Sequence, residues 1–234
     1  MRDRKLTTYF EKRQLVTPGD LLAEGKYRAG ENTYKDDDKI YATRIGIANL
    51  EDTTIYVVAL KAFYVPSVGD MVIGKIVEVG ISIWIVDINA PYLAVLRASD
   101  VLDRPFNPRR DALPAIFDVN DLIIAKLVAY DRTHDPVLTV REPDLGKITR
   151  GQIVEVTPTK IPRIIGRKGS MISMIKKETK CQITIGQNGV ILISGKTPED
   201  ERLAVMAIRK IEQESHTSGL TDRVTEMIRK EKEV

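Results

Sequence analysis

The chain has 234 residues, 43% of them hydrophobic and 29% charged, with a formal net charge of +3. This balance excludes an intrinsically disordered polypeptide, and without an apolar run of about 18 residues no membrane span is expected. A single cysteine, Cys181, excludes an internal disulfide framework, and two histidines, His134 and His216, are too few to suggest a Cys/His zinc site, so neither metal nor cofactor is expected.

At roughly 100–200 residues per domain, one to three domains are expected. The opening stretch MRDRKLTTYFEKR has no apolar signal core, so a cytoplasmic location is expected. Three phrases punctuate the chain: Pro18-Gly19-Asp20, Val68-Gly69-Asp70 and Val119-Asn120-Asp121. Each is a turn signal ahead of a β-branched run. Residues 1–64 predict an N-terminal β module, with strands at 39–47 and 54–59 and a polar stretch at 30–38. Residues 66–142 predict five short strands at 71–79, 81–88, 92–96, 122–130 and 137–141, the pattern of a five-stranded OB-type barrel. The segment RPFNPRR at 104–110 reads as a loop, and Pro143-Asp144-Leu145-Gly146 as a linker.

The hydrophobic period then changes. Residues 147–215 predict an α+β domain of order βααββα, with a strand at 153–157, a helical turn at 162–165 and a helix at 170–179. Strands at 182–185 and 190–194 flank Asn188-Gly189, a strong hairpin signal. Thr197-Pro198-Glu199-Asp200 opens a helix with Thr197 as its cap. Its buried stripe is Leu203, Ala207, Ile208 and Ile211. The tail, 216–234, predicts a further polar helix at 221–232.

The charge is unevenly spread. Between Lys147 and Lys180 the cations are Lys147, Arg150, Lys160, Arg163, Arg167, Lys168, Lys176, Lys177 and Lys180, against only Glu155 and Glu178. Such a patch on a nearly balanced protein suits a polyanion. Within it lies IPRIIGRKGSM, where Gly166 and Gly169 flank Arg167 and Lys168 between two helical segments. A strand, two helices and a Gly-x-x-Gly loop between them form the KH arrangement. Glycine lets a phosphodiester backbone lie close to the main chain, the second helix offers free N–H groups, and Arg167 and Lys168 add full charges. The loop can clamp about four nucleotides. Lys160 and Arg163 join the predicted site, and Ile164 and Ile165 are expected to floor it for stacked bases. RNA and single-stranded DNA stay open on this motif.

The stretch VGDMVIGKIVEVGISIWIVDI, continued through YLAVLRASDV to IAKLVAYDRTHDPVLTVRE, resembles the S-one-type RNA-binding domain, an OB fold. That resemblance implies base stacking on an aromatic of the second strand. Trp84 lies there as either a base platform or core, and Arg97 stands where the family usually has histidine. Arg104, Arg109 and Arg110 are further candidate contacts. An N-terminal β module, an S-one-type barrel and one KH domain in that order resemble the RNA-binding cap subunits of the archaeal exosome, of the rRNA-processing protein four type. LVTPGDLLAEGKYRAGENTY belongs to the same likeness. It implies a protein without catalysis of its own. Three copies would sit on a hexameric ring of RNase PH-like subunits, the N-terminal module docking on the ring and the barrels around its entry pore. Arg2–Arg13 and the Tyr9-Phe10 pair are docking candidates.

Two other classes remain. A nuclease needs carboxylates converging on a metal ion, and the acidic run Asp36-Asp37-Asp38 reads instead as a solvated turn. His134 reads as a turn residue and Cys181 as a packed thiol. A transcription or translation factor of the elongation–antitermination type carries paired KH folds of another topology, whereas one KH unit is read here.

Overall fold

The computed structural model describes residues 7–232, apart from 12, 13, 61, 62, 103, 132, 216 and 218. Two compact units divide at Ala62 and Phe63.

The first unit is all β. Its strands are β1 (Thr7–Thr8), β2 (Leu15–Val16), β3 (Leu21–Glu24), β4 (Arg28–Ala29), β5 (Thr33–Asp36), β6 (Lys39–Ala42), β7 (Gly46–Glu51) and β8 (Thr54–Ala59). They form two sheets of order β1-β3-β6-β5 and β2-β7-β8-β4 around Leu22, Ile40, Ala48, Ile55 and Val57. The strand expected over 39–47 is broken: β6 ends at Ala42 and β7 begins at Gly46, so the run supplies both sheets. The polar stretch at 30–38 contains β5, in which only Thr33 is half-buried and Tyr34, Lys35 and Asp36 are exposed. Asp36, Asp37 and Asp38 make the β5–β6 turn, with Asp37 at φ 49°. Of the docking candidates, Tyr9 is exposed and Phe10 packs on the core, while 2–6, 12 and 13 lie outside the described residues.

The second unit begins with a closed barrel. Its strands are β9 (Met71–Val79), β10 (Ile83–Asp87), β11 (Ala94–Arg97), β12 (Leu122–Asp131) and β13 (His134–Thr139). β13 pairs with both β11, in parallel, and β12, which closes the five-stranded ring. Val72, Ile76, Val86, Leu96, Ile123, Leu127 and Leu138 alternate inward along these strands to fill it. Tyr64, read as the end of the N-terminal module, packs into this core instead, and its hydroxyl donates to Asp70 at 2.6 Å.

The supposed linker is also structured. Gly146–Lys147 is strand β14, paired with β12, and Leu145 and Ile148 pack between barrel and KH sheet.

The KH part comprises β15 (Gln152–Glu155), α1 (Ile161–Ile165), α2 (Ser170–Thr179), β16 (Gln182–Ile185), β17 (Val190–Ser194) and α3 (Pro198–Gln213). The sheet order is β15-β17-β16, all antiparallel. The Thr197 hydroxyl caps α3 by accepting the Asp200 N–H at 3.2 Å. The predicted tail helix is α4 (Leu220–Lys232), and it is amphipathic. Leu220, Val224 and Ile228 recur at i, i+4 and i+8 and bury in the KH core beside Ile175 and Ile208.

The opposite face of the KH sheet lies on the barrel through Val190 and Leu192 against Ile73 and Ile124. The β16–β17 turn seals the contact. The Asn188 amide donates to the carbonyls of Ile73 at 2.8 Å and Ile88 at 2.9 Å, and its oxygen accepts the Ile73 N–H at 3.3 Å. Gln187 donates its N–H to the Met71 carbonyl at 2.9 Å. The Asn-Gly pair does mark the hairpin, but Asn188 serves as a fully buried plug between two folds.

Candidate nucleic-acid interface

Between α1 and α2 the chain reverses through three unusual conformations. Gly166 adopts φ 76°, ψ 174°, which only glycine enters readily, and Lys168 and Gly169 are left-handed at φ 51° and 77°. A Cβ on Gly166 would stand 2.7 Å from the Met171 Cβ and 2.8 Å from its N, so this glycine is required by packing. A Cβ on Gly169 would meet only the Ile172 Cγ2, at 4.0 Å. Gly169 is therefore required by its φ, and it leaves the main chain open to an approaching ligand. Arg167 and Lys168 are exposed and carry no side-chain hydrogen bond or ion pair to another described residue. A lysine held in the left-handed region costs about 1–2 kcal/mol, and such strain is characteristic of functional loops.

The other KH candidates separate by position. Ile164 is fully buried in the core, so the expectation that it floors the base site is corrected. It faces inward from a short helix whose outward neighbour, Ile165, is half-buried at the surface. Lys160 is half-buried. Arg163 is exposed, and its guanidinium donates to the Thr217 carbonyl at 2.8 Å, tying α1 to the segment before α4.

Beyond Gly169 an open groove of about 840 Å³ runs between α2 and the edge strand β16 on one side and residues 144–150 on the other. Ile172, Ile185 and Leu192 give it an apolar lining, and Lys176 and Arg150 place cations on opposite walls. Lys147 also lines it but is paired with Asp121. That bond, together with the Asp118 N–H, holds the Asp121 carboxyl below its ordinary range. The groove combines an apolar surface, a main-chain edge and positive charge. Ile172, Lys176 and Arg150 line this groove and were not among the site residues expected from the sequence. The i, i+4 spacing on α2 signals the first two, but nothing local signals that residues 144–150 fold back as the opposite wall.

In the barrel, Trp84 is a core residue, which corrects its candidacy as a base platform. It is fully buried, its indole N–H donates to the Phe117 carbonyl at 2.8 Å, and it meets the Phe117 ring edge-on at 5.3 Å. Strand alternation explains this: Trp84 shares the inward face with Val86, whereas Ile83 and Ile85 are turned outward. Surface aromatics of this unit include Phe63, 75% exposed, Tyr92, 52% exposed, and the half-buried Tyr130, whose ring centroid lies 6.2 Å from that of Tyr92. None of these was among the residues expected from the sequence to contact RNA. Arg97 is exposed opposite Ile83. Arg109 and Arg110 are exposed, whereas Arg104 is engaged by Asp111 at 2.9 and 2.5 Å.

His134 lies in an exposed hairpin where its Nδ1 is 2.9 Å from Asp131. The Thr133 hydroxyl, His134 and the Thr133 N–H hold that carboxyl well below the usual range. Cys181 is buried, and burial pushes its thiol up. Among the described residues, no three His, Cys, Asp or Glu side chains are placed to share a metal ion, and no helix is long and apolar enough to cross a membrane.

Comparison with known proteins covers all three parts. Residues 13–61 match the model of the exosome RNA binding protein RRP4 N-terminal domain, 63–128 the RRP4 S1 domain, and 151–212 the KH domain. The exosome complex component Rrp4 of Thermofilum pendens is 44% identical over 231 residues, 97% of this chain and 98% of that protein. That of Pyrococcus furiosus is 46% identical over 222 residues, 94% and 84% respectively. A solved structure described as a putative exosome complex RNA-binding protein superposes with a TM-score of 0.71 at 48% identity, covering 74% of this chain and 98% of that one. With identity of this order along almost its entire length, the chain belongs to the Rrp4 family of exosome complex components.

Proposed function

We propose that this protein is a non-catalytic, cytoplasmic exosome subunit. It captures single-stranded RNA and guides it into a ring of RNase PH-like subunits for 3′-to-5′ degradation and processing, three copies capping each hexameric ring. The observation that carries the RNA-binding part is the Gly166–Gly169 loop: bare main chain, two exposed cations without described protein partners, and a lined groove beginning at Ile172. Tyr92, about half exposed, is the barrel's stacking residue in this reading, beside the contacts assigned to Arg97, Arg109 and Arg110. Phosphates bind the cations, and apolar side chains and β16 take the bases.

Docking falls to the first unit. Leu15, Ile47 and Val58 sit in register across β2, β7 and β8. Leu15 and Val58 are 58% and 51% exposed, with Ile45 nearby at 52%. An apolar row of this kind on a sheet's outer face suits a protein partner.

Arg167→Asp with Lys168→Asp tests the clamp in an anisotropy titration of labelled single-stranded RNA. Affinity falls at least tenfold with the thermal midpoint unchanged, and the slope of log K against log salt flattens by about 1.4, about 0.7 per lost phosphate contact. Unchanged binding refutes it. Mixing with RNase PH-like subunits and measuring the mass of the product tests docking: Val58→Lys prevents assembly and leaves RNA affinity intact. Incubation of the purified chain with 3′-labelled RNA, magnesium and phosphate leaves the RNA at full length, and shortening would make it a nuclease.

A further inference from the structure

We propose that Arg104 is a positioning residue: through Asp111 and Asn107 it fixes the loop backbone that presents Arg109 and Arg110, the two arginines already read as RNA contacts, to phosphodiester oxygens of single-stranded RNA. The proposal rests on the reading of the chain as an RNA-binding protein.

The segment RPFNPRRD is exposed yet closely braced. The two terminal nitrogens of Arg104 donate to the two carboxylate oxygens of Asp111 at 2.9 and 2.5 Å. The Asp111 side chain is only 4% exposed, and it also accepts the Asn107 N–H at 2.9 Å. Asn107 passes the constraint on: its side-chain oxygen accepts the Arg109 N–H at 3.0 Å, and its carbonyl accepts the N–H groups of Arg110 and Asp111 at 3.0 and 2.9 Å. Phe106 packs half-buried against the barrel core beneath the loop. Pro105 and Pro108 each remove a backbone freedom.

A bonded chain therefore runs from Arg104 through Asp111 and Asn107 to the backbone of the two remaining arginines. Arg104 and Asp111 cancel each other's charge, so the net cations of the loop are Arg109 and Arg110. Both are exposed and neither side chain makes a hydrogen bond or ion pair with a described residue, although the Asp111 carboxylate also feels the charge of Arg110. A guanidinium is a planar fork that matches two phosphate oxygens, and a tip already fixed loses little freedom on binding. A loop that merely had to be soluble would need neither the buried carboxylate nor the asparagine relay. In this proposal Arg104 is not itself a phosphate contact, because Asp111 already takes one bond from each of its terminal nitrogens and neutralises its charge.

Anisotropy titration of the full chain with labelled single-stranded RNA across a salt series tests this. Arg109→Gln with Arg110→Gln weakens binding about tenfold or more and flattens the salt slope by about 1.4. Arg104→Lys keeps the charge but cannot fill both carboxylate oxygens, so it weakens binding as Arg104→Gln does. Adding Arg104→Gln to the Arg109→Gln, Arg110→Gln chain costs nothing further. Parental affinity and slope in the Arg109→Gln, Arg110→Gln chain would overturn the phosphate site. Parental affinity with Arg104→Lys, or an additive loss in the triple variant, would overturn the positioning role. A parent chain that binds no RNA would overturn the RNA reading itself.

Discussion

Replacing Asn188 with alanine tests how barrel and KH fold are held together. The side chain is fully buried. It satisfies the N–H and carbonyl of Ile73 and the carbonyl of Ile88. Ile73 sits on β9 before that strand begins to pair with β10, at Lys75, so Asn188 acts there as a one-residue surrogate strand. Alanine leaves one buried donor and two buried acceptors without it. At about 1 kcal/mol each, the low end for an unsatisfied buried group, the loss is about 3 kcal/mol. For a unit of this size that is roughly 6–12 °C in thermal midpoint. Urea and thermal unfolding followed by circular dichroism give the two numbers, and hydrogen exchange at the Ile73 amide reports the interlock itself. A loss under about 0.5 kcal/mol, the level of an unconstrained surface site, with undiminished Ile73 protection, would refute the interlock.

Other substitutions separate packing from contact. Gly166→Ala destabilises the unit by about 1–3 kcal/mol, because the added methyl meets Met171 at a positive φ. Gly169→Ala costs about 1 kcal/mol of stability but weakens RNA binding more, since its methyl projects toward the ligand. Urea unfolding beside RNA titration distinguishes the two. Trp84→Ala costs about 3–5 kcal/mol in the same unfolding assay, and Trp84→Phe leaves RNA affinity unchanged. Tyr92→Ala does the reverse, losing about 1–3 kcal/mol of binding with little change in stability. Acid titration of stability follows the depressed carboxyls of Asp111, Asp121 and Asp131. Each carboxylate is bonded in its charged form, so its contribution is complete above the ordinary carboxylate range and vanishes as pH falls through the lowered folded values. Asp131→Asn therefore flattens the loss of stability below about pH 4. A variant with the parental pH profile would show that the hairpin bonds contribute nothing.

The KH elements were legible in sequence because each is announced locally. The Gly-x-x-Gly loop, the Thr197 cap and the alternating β-branched runs at β16 and β17 depend on neighbours a few residues away. β9 through β13 were likewise legible as strands, to within a few residues at their ends. The α4 helix was legible, but its burial was not: its sequence is mostly charged, and only the KH core shows that Leu220, Val224 and Ile228 form a sufficient stripe. Trp84 could be read either way, because alternation fixes which residues share a face and leaves open which face is inside.

The residues alone thus determined an all-β module, an OB-type barrel, a KH fold and a cationic glycine loop, since propensity, capping and turn chemistry act over a few residues. Tertiary structure decided that the barrel and the KH sheet interlock, that residues 144–150 wall a groove, and that Arg104 is occupied by Asp111. Asn188 reaches partners 100 and 115 residues away in the chain, and a hydrogen bond or a closed surface at that separation exists only once both segments have folded and met.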